Sequence, residues 1–368
     1  MIPVIGRTES LSLSINPIID GRTIMSFLKT RFFLLISLSI LCFSAVYAQK
    51  VGSTSMQFLK VMPCARATAL GEAYTVWATG AEAVFWNPAG LASTNNMEFS
   101  TTYINWLFDS QQGAFSFAWA IKGFGAIGLQ IQYVDFGEFE ETTNERPYIN
   151  NPDAPGLTGR TFNPFSYLVG ISYARYLTNR FSTGLSIKYA HESLFNGERV
   201  TAQVRQGVFD EVDTWANGLL FDFGIRYNTG YRSVYIGSAV QNFGADVKYA
   251  KESNPVPLLF RFGVGADVIG PEGVLIKGSK ESRLSMAYDI FHPNDYGQQM
   301  HVGVEYEYGG IFALRGGYKF NYDFDGFTLG AGFKHSIGGL HLSADYSYGD
   351  MGTYLGNVQR ISLGIILP

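Results

Sequence analysis

The sequence predicts a fourteen-stranded antiparallel transmembrane β-barrel with a short, partly helical N-terminal plug. Three observations predict it. An export signal stands near the N-terminus, apolar residues recur with a period of two from Met97 to the C-terminus, and the connections between these runs alternate long and short.

The signal comes first in the chain. Lys29 and Arg31 precede the apolar run Phe32 to Phe43, and small residues then lead to Val46-Tyr47-Ala48. That is the charged, apolar, small-residue order of a secretory signal peptide, with cleavage expected after Ala48. The apolar run is short for a membrane-spanning helix. Leu41 before Cys42 is too bulky for a lipoprotein signal. Met25 stands as an alternative start to Met1, with residues 1–24 reading as upstream sequence. The chain therefore divides into 1–48 (upstream residues and signal), 49–96 (plug) and 97–368 (barrel).

Composition narrows the class. The 368 residues carry a formal net charge of −4, with 16% charged and 15% aromatic residues. Soluble proteins rarely combine so many rings with so few charges. The near balance of charge excludes the basic stripe of a nucleic-acid binder. Cys42 lies in the signal and Cys64 is left alone, so no disulfide, metal or redox chemistry is expected.

In the plug, Pro63 to Tyr74 holds Ala65, Ala67, Ala69, Leu70 and Ala73, enough for one short helix. Arg66 is the lone cation there, and the ordinary expectation is a solvated or carboxylate-paired side chain. Asn87-Pro88-Ala89-Gly90 is turn chemistry. Pro88 fixes its own φ and lacks an N–H, and Asn87 can go left-handed or bond its own backbone. Alone, these four residues read as a surface turn; before the first strand, they mark the break between plug and wall.

Fourteen runs follow: 97–106, 113–121, 124–135, 164–176, 180–193, 216–229, 232–243, 257–268, 281–291, 299–308, 311–320, 326–336, 339–348 and 358–367. In one of them Phe327, Leu329, Ala331 and Phe333 alternate with Thr328, Gly330, Gly332 and Lys334. Such alternation puts apolar groups on one face and polar or small groups on the other. Run length suits a tilted strand crossing a bilayer, and the even number suits a closed barrel. Odd connections are longer than their even neighbours, except at 269–280. With a periplasmic N-terminus the long loops, 136–163 and 194–215 above all, are extracellular, in a Gram-negative outer membrane. Trp106 with Phe108, Tyr133 with Phe136, Tyr173 with Tyr176 and Tyr346 with Tyr348 read as girdles at the two interfaces.

The polar faces predict the lumen. Gln130, Lys188, Glu305, Lys334 and Asp345 are its expected lining, with Gln132, Asp289, Glu307 and His341 beside them. Buried charges must be paired or wet, so a mutually neutralised, partly hydrated interior follows. A barrel this wide needs filling, and 49–96 is the natural filler. The glycine-rich stretches 123–128 and 330–332 either kink the wall open or make room inside it.

Enzyme chemistry is not expected. His191, His292, His301, His335 and His341 are the only histidines. His191 beside Glu192-Ser193 and His335 beside Ser336 cannot act as pairs, because neighbours on a strand point to opposite faces. No nucleophile elbow, metal-ligand spacing or phosphate cradle is present, and no cofactor is implied.

Val51 to Lys60, then Ala65-Arg66-Ala67 with Gly71-Glu72-Ala73, then Phe85-Trp86-Asn87-Pro88-Ala89-Gly90-Leu91-Ala92 resemble the PorV/PorQ family, within the wider FadL-like outer-membrane barrels. Arg180 to Lys188 and Gln241-Asn242-Phe243-Gly244 are similar to later parts of the family pattern. The sequence departs from that pattern at Ala69 to Glu72, where an acid replaces a small residue. The resemblance implies a fourteen-stranded barrel with a hatch bearing Asn87-Pro88-Ala89. It also implies one of two roles. The first is an accessory of type IX protein secretion, with secretion-system proteins and secreted cargo as partners. The second is a FadL-like channel for hydrophobic small molecules such as fatty acids or aromatic hydrocarbons. Either role has outer-membrane lipid around the barrel.

Overall fold

The computed structural model describes residues 52–143, 156–271, 273–324 and 326–368. The expected signal lies outside the described residues, as does the middle of loop 136–163. Fourteen strands form one closed antiparallel barrel: β1 Met97–Asn105, β2 Gln111–Ile121, β3 Gly125–Asp135, β4 Phe165–Thr178, β5 Phe181–Ser193, β6 Trp215–Asn228, β7 Tyr235–Gly244, β8 Leu259–Gly270, β9 Ser282–Pro293, β10 Gln299–Tyr308, β11 Phe312–Phe320, β12 Phe327–Ile337, β13 Leu340–Asp350 and β14 Asn357–Ile366. Each pairs with its sequence neighbours, and β1 closes on β14, with Thr102 opposite Ser362. Closure leaves no unpaired edge in hydrocarbon, which is the condition for a sheet to span a bilayer. Among the described residues no helix is long and apolar enough to cross a membrane; the strands do so.

The polarity is inverted relative to a soluble protein. On β3, Leu129 and Ile131 are 44% and 46% exposed, while Gln130 and Gln132 between them are 2% and 4% exposed. The same alternation sets exposed Leu185 and Ile187 against buried Ser186 and Lys188 on β5. Lipid covers the apolar face, so the polar face must find partners inside. The barrel lies in the outer membrane.

Each of the fourteen runs becomes one wall strand, with ends shifted by at most a few residues. The long connection 271–281 has a local cause: Ile276–Lys277 folds back and pairs in parallel with Ile269 and Gly270. On the extracellular side, three connections carry hairpins of their own: Phe139–Thr142 with Leu157–Phe162, Arg199–Arg205 with Val208–Asp213, and Val247–Tyr249 with Glu252–Asn254.

The glycine-rich stretches do not kink the wall. β2 pairs with β3 in unbroken register past Gly125 and Gly128, and β12 pairs with β13 past Gly330 and Gly332. The irregularities lie elsewhere. At the β6–β7 seam the register shifts between Phe221 and Phe223, opposite Gln241 and Asn242, and Asn242 takes φ +62°. Lesser shifts occur between Tyr176 and Thr178 and between Asp267 and Ile269.

Candidate functional site

The candidate site is the N-terminal segment, which packs inside the barrel as a hatch. Its α1 spans Ala65–Ala69, shorter than the Pro63–Tyr74 stretch that composition favoured. The Cys64 thiol accepts from Ala67 N–H at its start, and Gly71 and Glu72, at φ +61° and +66°, end it. Next come a 3-10 turn at Gly80–Glu82, α2 at Ala83–Trp86 and a second 3-10 turn at Pro88–Ser93. Trp86 is fully buried, donates its indole N–H to the Pro63 carbonyl at 2.9 Å and meets Tyr74 edge-on at 5.7 Å. Burying such a ring is worth about 2–3 kcal/mol.

Asn87-Pro88-Ala89-Gly90 is not a surface turn. All four residues are buried. Asn87 keeps extended backbone, φ −152°, and caps the 3-10 turn by accepting from Ala89 N–H. Its amide nitrogen donates to the carbonyls of Thr75 in the hatch and Ile225 in β6. Gly90 is required by contact, since a Cβ there would sit 1.8 Å from the Ala78 carbonyl oxygen.

The hatch touches every wall strand. Ala81 N–H donates to Glu98 on β1, Ala118 of β2 and Ala174 of β4 join the hatch core, and Gln132 of β3 donates to the Val61 carbonyl. Ser182 of β5 donates to Ala89, Arg226 of β6 to Val76 and Gln241 of β7 to Phe85, all at carbonyls. Asp289 of β9 accepts from Tyr74 N–H, Thr75 N–H and the Thr75 hydroxyl at 3.0, 2.9 and 2.6 Å. On the remaining side, Thr328 of β12 donates to Ala69, Ser347 of β13 bonds Thr68, and Ser362 of β14 accepts from Ala65 N–H. The glycines make room for this contact. A Cβ at Gly184 would lie 2.3 Å from the Pro88 carbonyl carbon, and one at Gly317 would lie 2.1 Å from Gly71 N.

Ion pairs neutralise charge between hatch and wall, and two lines of them pass through Glu305 and Glu72. Glu305 of β10 holds Arg66 of the hatch in a two-pronged pair and also Arg315 of β11, which passes on to Asp345 of β13 at 2.6 Å. Glu72 of the hatch bonds Lys319 of β11 at 2.7 Å and Arg261 of β8 at 3.4 Å. Burial alone would raise the Glu72 carboxyl, but Lys319 and then Arg261 outweigh it and hold it well below the ordinary carboxylate range. Arg261 is itself fully buried between the rings of Trp86 and Phe291.

The residues expected to line the lumen are distributed as follows. Gln130, Lys188, Glu305 and Asp345 are buried and face inward. Lys188 lies 2.7 Å from Asp222 and bonds Asn242 at the irregular β6–β7 seam. Lys334 stands at the periplasmic mouth, 2.5 Å from Glu307, and His341 is exposed there, bonded to Ser336. Trp106 lies under Arg360 beside the lumen instead of in an outer girdle. Sequence reasoning missed Arg261, Lys319 and Arg226 as hatch partners, and Arg315 as the wall cation between Glu305 and Asp345. Their signal was available, because each alternates with apolar neighbours on a strand.

Two cavities flank the hatch. The extracellular one, about 300 Å³, is lined by Trp106, Phe291, Tyr296, Tyr322, Phe324 and Val358 above Thr68, Glu72 and Lys319. The periplasmic one, about 380 Å³, is lined by Arg66, Tyr74, Glu82, Lys334, His341 and Asp345, among others. Among the described residues no group of histidines, cysteines and acids could hold a metal.

The model of the family described as type IX secretion system protein PorV matches residues 44–282, about two-thirds of the chain. The chain belongs to the PorV family. The match takes in the whole hatch and the wall from β1 through β8, where Asn87 and its partners lie. Among solved structures, the PorV-family barrel is similar to the Pseudomonas putida toluene transporter TodX, at 12% identity and a TM-score of 0.49 over 82% of this chain and 95% of that one. It is also similar to a Pseudomonas aeruginosa FadL homologue, at 11% identity and a TM-score of 0.46 over 82% and 97%. No curated protein matches the sequence.

Proposed function

We propose that this barrel is an accessory of type IX secretion that engages exported proteins on its extracellular face. Family membership supports the secretion link. The observation that carries the engagement is that the three extracellular hairpins form one cross-braced shelf. The rings of Phe162 and Phe195 meet tilted, with centroids 4.6 Å apart, and Arg160 reaches Glu198 at 3.6 Å, joining the first hairpin loop to the second. Lys251 pairs with Asp210 at 2.9 Å, and Ala250 N–H donates to the Asp213 carbonyl, joining the second to the third. The shelf exposes Phe139, Val208 and Phe209 beside Glu138, Glu140 and Glu211. A braced, ring-bearing extracellular platform suits protein recognition, because hairpins already held together lose less ordering entropy on docking.

Excising hairpin 199–213 should abolish release of a cargo bearing a type IX sorting domain, with the barrel still present at normal level in the outer membrane. Unchanged release with normal barrel level would sink the reading. The second reading, uptake of a hydrophobic solute, draws on the ring-lined extracellular cavity. Labelled toluene or fatty acid entering liposomes that bear the protein would favour it.

A further inference from the structure

We propose that the hatch is a fixed septum, so that the barrel holds two blind vestibules and conducts neither ions nor solutes between them. The inference rests on the geometry of the lumen and not on the secretion reading.

The two cavities are divided by α1 itself. Thr68 lines the extracellular cavity and Arg66 the periplasmic one. Residues two apart on a helix project to opposite sides, so the helix lies across the path like a bar. Its alanines, Ala65, Ala67 and Ala69, are 0% exposed, covered by the wall and the rest of the hatch. Backbone meets backbone at the wall, because Gly303 and Gly317 admit Leu70 and Gly71 closer than any side chain would allow.

A moving plug needs a side on which it is free, and among its described residues this one has none. Its bonds and contacts run around all fourteen strands, as set out above. Movement parts these groups from their partners. Swinging α1 towards the extracellular side parts Arg66 from Glu305, and withdrawing the loop after it leaves Tyr74 and Thr75 N–H without Asp289. Buried donors and charges without partners are the expensive outcome in a dry interior. The aromatic extracellular cavity is therefore a cul-de-sac. Whatever enters it leaves by the same mouth.

The test uses the full-length mature protein in planar bilayers under molar potassium chloride, together with the native thiol of Cys64, which is 2% exposed beside α1. The expected results are no steady unit conductance, and no labelling of Cys64 by a small maleimide applied from either side until denaturant is added. A third arm replaces Cys64 with Ala and introduces T68C and S347C, whose parent hydroxyls are 2.8 Å apart, so that oxidation ties α1 to β13. Oxidised and reduced forms should support equal cargo release in cells. Steady conductance, rapid labelling of the native protein, or loss of cargo release restored by reduction would each overturn the septum. The first two arms do not depend on a secretion partner, so a barrel that fails the secretion test can still pass them. If the disulfide variant fails to fold, conductance and labelling still decide.

Discussion

Asp289→Ala should unfasten the hatch while leaving the wall intact. The carboxylate accepts two backbone N–H bonds and one hydroxyl bond from Tyr74 and Thr75, and Thr75 is fully buried. Alanine removes the acceptor and offers nothing in its place. Each orphaned buried donor costs about 1–3 kcal/mol, so the sum is about 4 kcal/mol even if the hydroxyl turns to another partner. Asp289→Asn keeps an acceptor oxygen and should cost about half as much. Thr75→Val removes only the hydroxyl bond and should cost about 1 kcal/mol.

Cys64 reports the result. Its thiol reacts only when the hatch opens, so under mild conditions the labelling rate follows the population of the open form. A loss of about 4 kcal/mol corresponds to a roughly thousandfold rise in labelling rate, at about 1.4 kcal/mol per tenfold. Far-ultraviolet circular dichroism should change little, because the ladder bonds of the fourteen strands do not involve Asp289's side chain. A D289A rate within about threefold of the parent would refute the view that these bonds fasten the hatch. A collapse of the strand signal would refute the separation of hatch from wall.

Glu305→Gln breaks a buried line of charge, leaving Arg66 and Arg315 to share a neutral amide, and should lower stability by about 3–5 kcal/mol in guanidinium titration in detergent. Gly317→Ala places a methyl 2.1 Å from Gly71 N and 2.3 Å from Leu70 C, and should cost about 3 kcal/mol, seen as a smaller heat-resistant folded fraction on gels. Gly113→Ala, with open space at its Cβ, should be nearly silent in the same assay. Glu72 makes stability depend on acid. Its folded pKa lies below the ordinary value, so its contribution is present at neutral pH and is lost as pH falls through and below about 4.5. Melting temperature should thus fall more steeply below about pH 5 in the parent than in Glu72→Gln, which is less stable at neutral pH but flatter in acid. Parallel slopes would remove Glu72 from the account.

The wall was legible because lipid enforces it. A strand in hydrocarbon must show apolar groups outward, and a closed barrel must alternate, so Leu129-Gln130-Ile131-Gln132 could be assigned faces from order alone. The hatch contacts were not legible in the same way. Alternation says that Asp289 faces inward; it does not say that Tyr74 and Thr75, 215 and 214 residues away, meet it. That meeting depends on strand tilt and stagger, which set which inward residues share a level of the lumen. The depth of the Asn87 turn was not legible from its four residues alone for a related reason. Turn chemistry describes backbone shape, and a barrel interior lined with open donors and acceptors can bury a turn that water would otherwise cover.

The glycines hold the signal that could have revealed more. Gly184, Gly224, Gly303, Gly317 and Gly330 all lie on inward faces, on β5, β6, β10, β11 and β12, and each would meet a hatch atom within 3 Å if it carried a Cβ. Room alone does not require so close an approach; a filled interior does. Inward glycines recurring at corresponding positions on strands far apart in sequence are the imprint of a backbone pressed against the wall. The same reasoning separates them from Gly113, which also sits on a strand but meets nothing. A soluble protein builds its core from apolar side chains facing inward. This barrel has given its apolar side chains to lipid, and its core is instead the hatch, fitted into glycine hollows and held by bonds to polar wall residues. The hatch is then part of what makes the barrel stable, and a plug that supplies the core is poorly suited to leaving it.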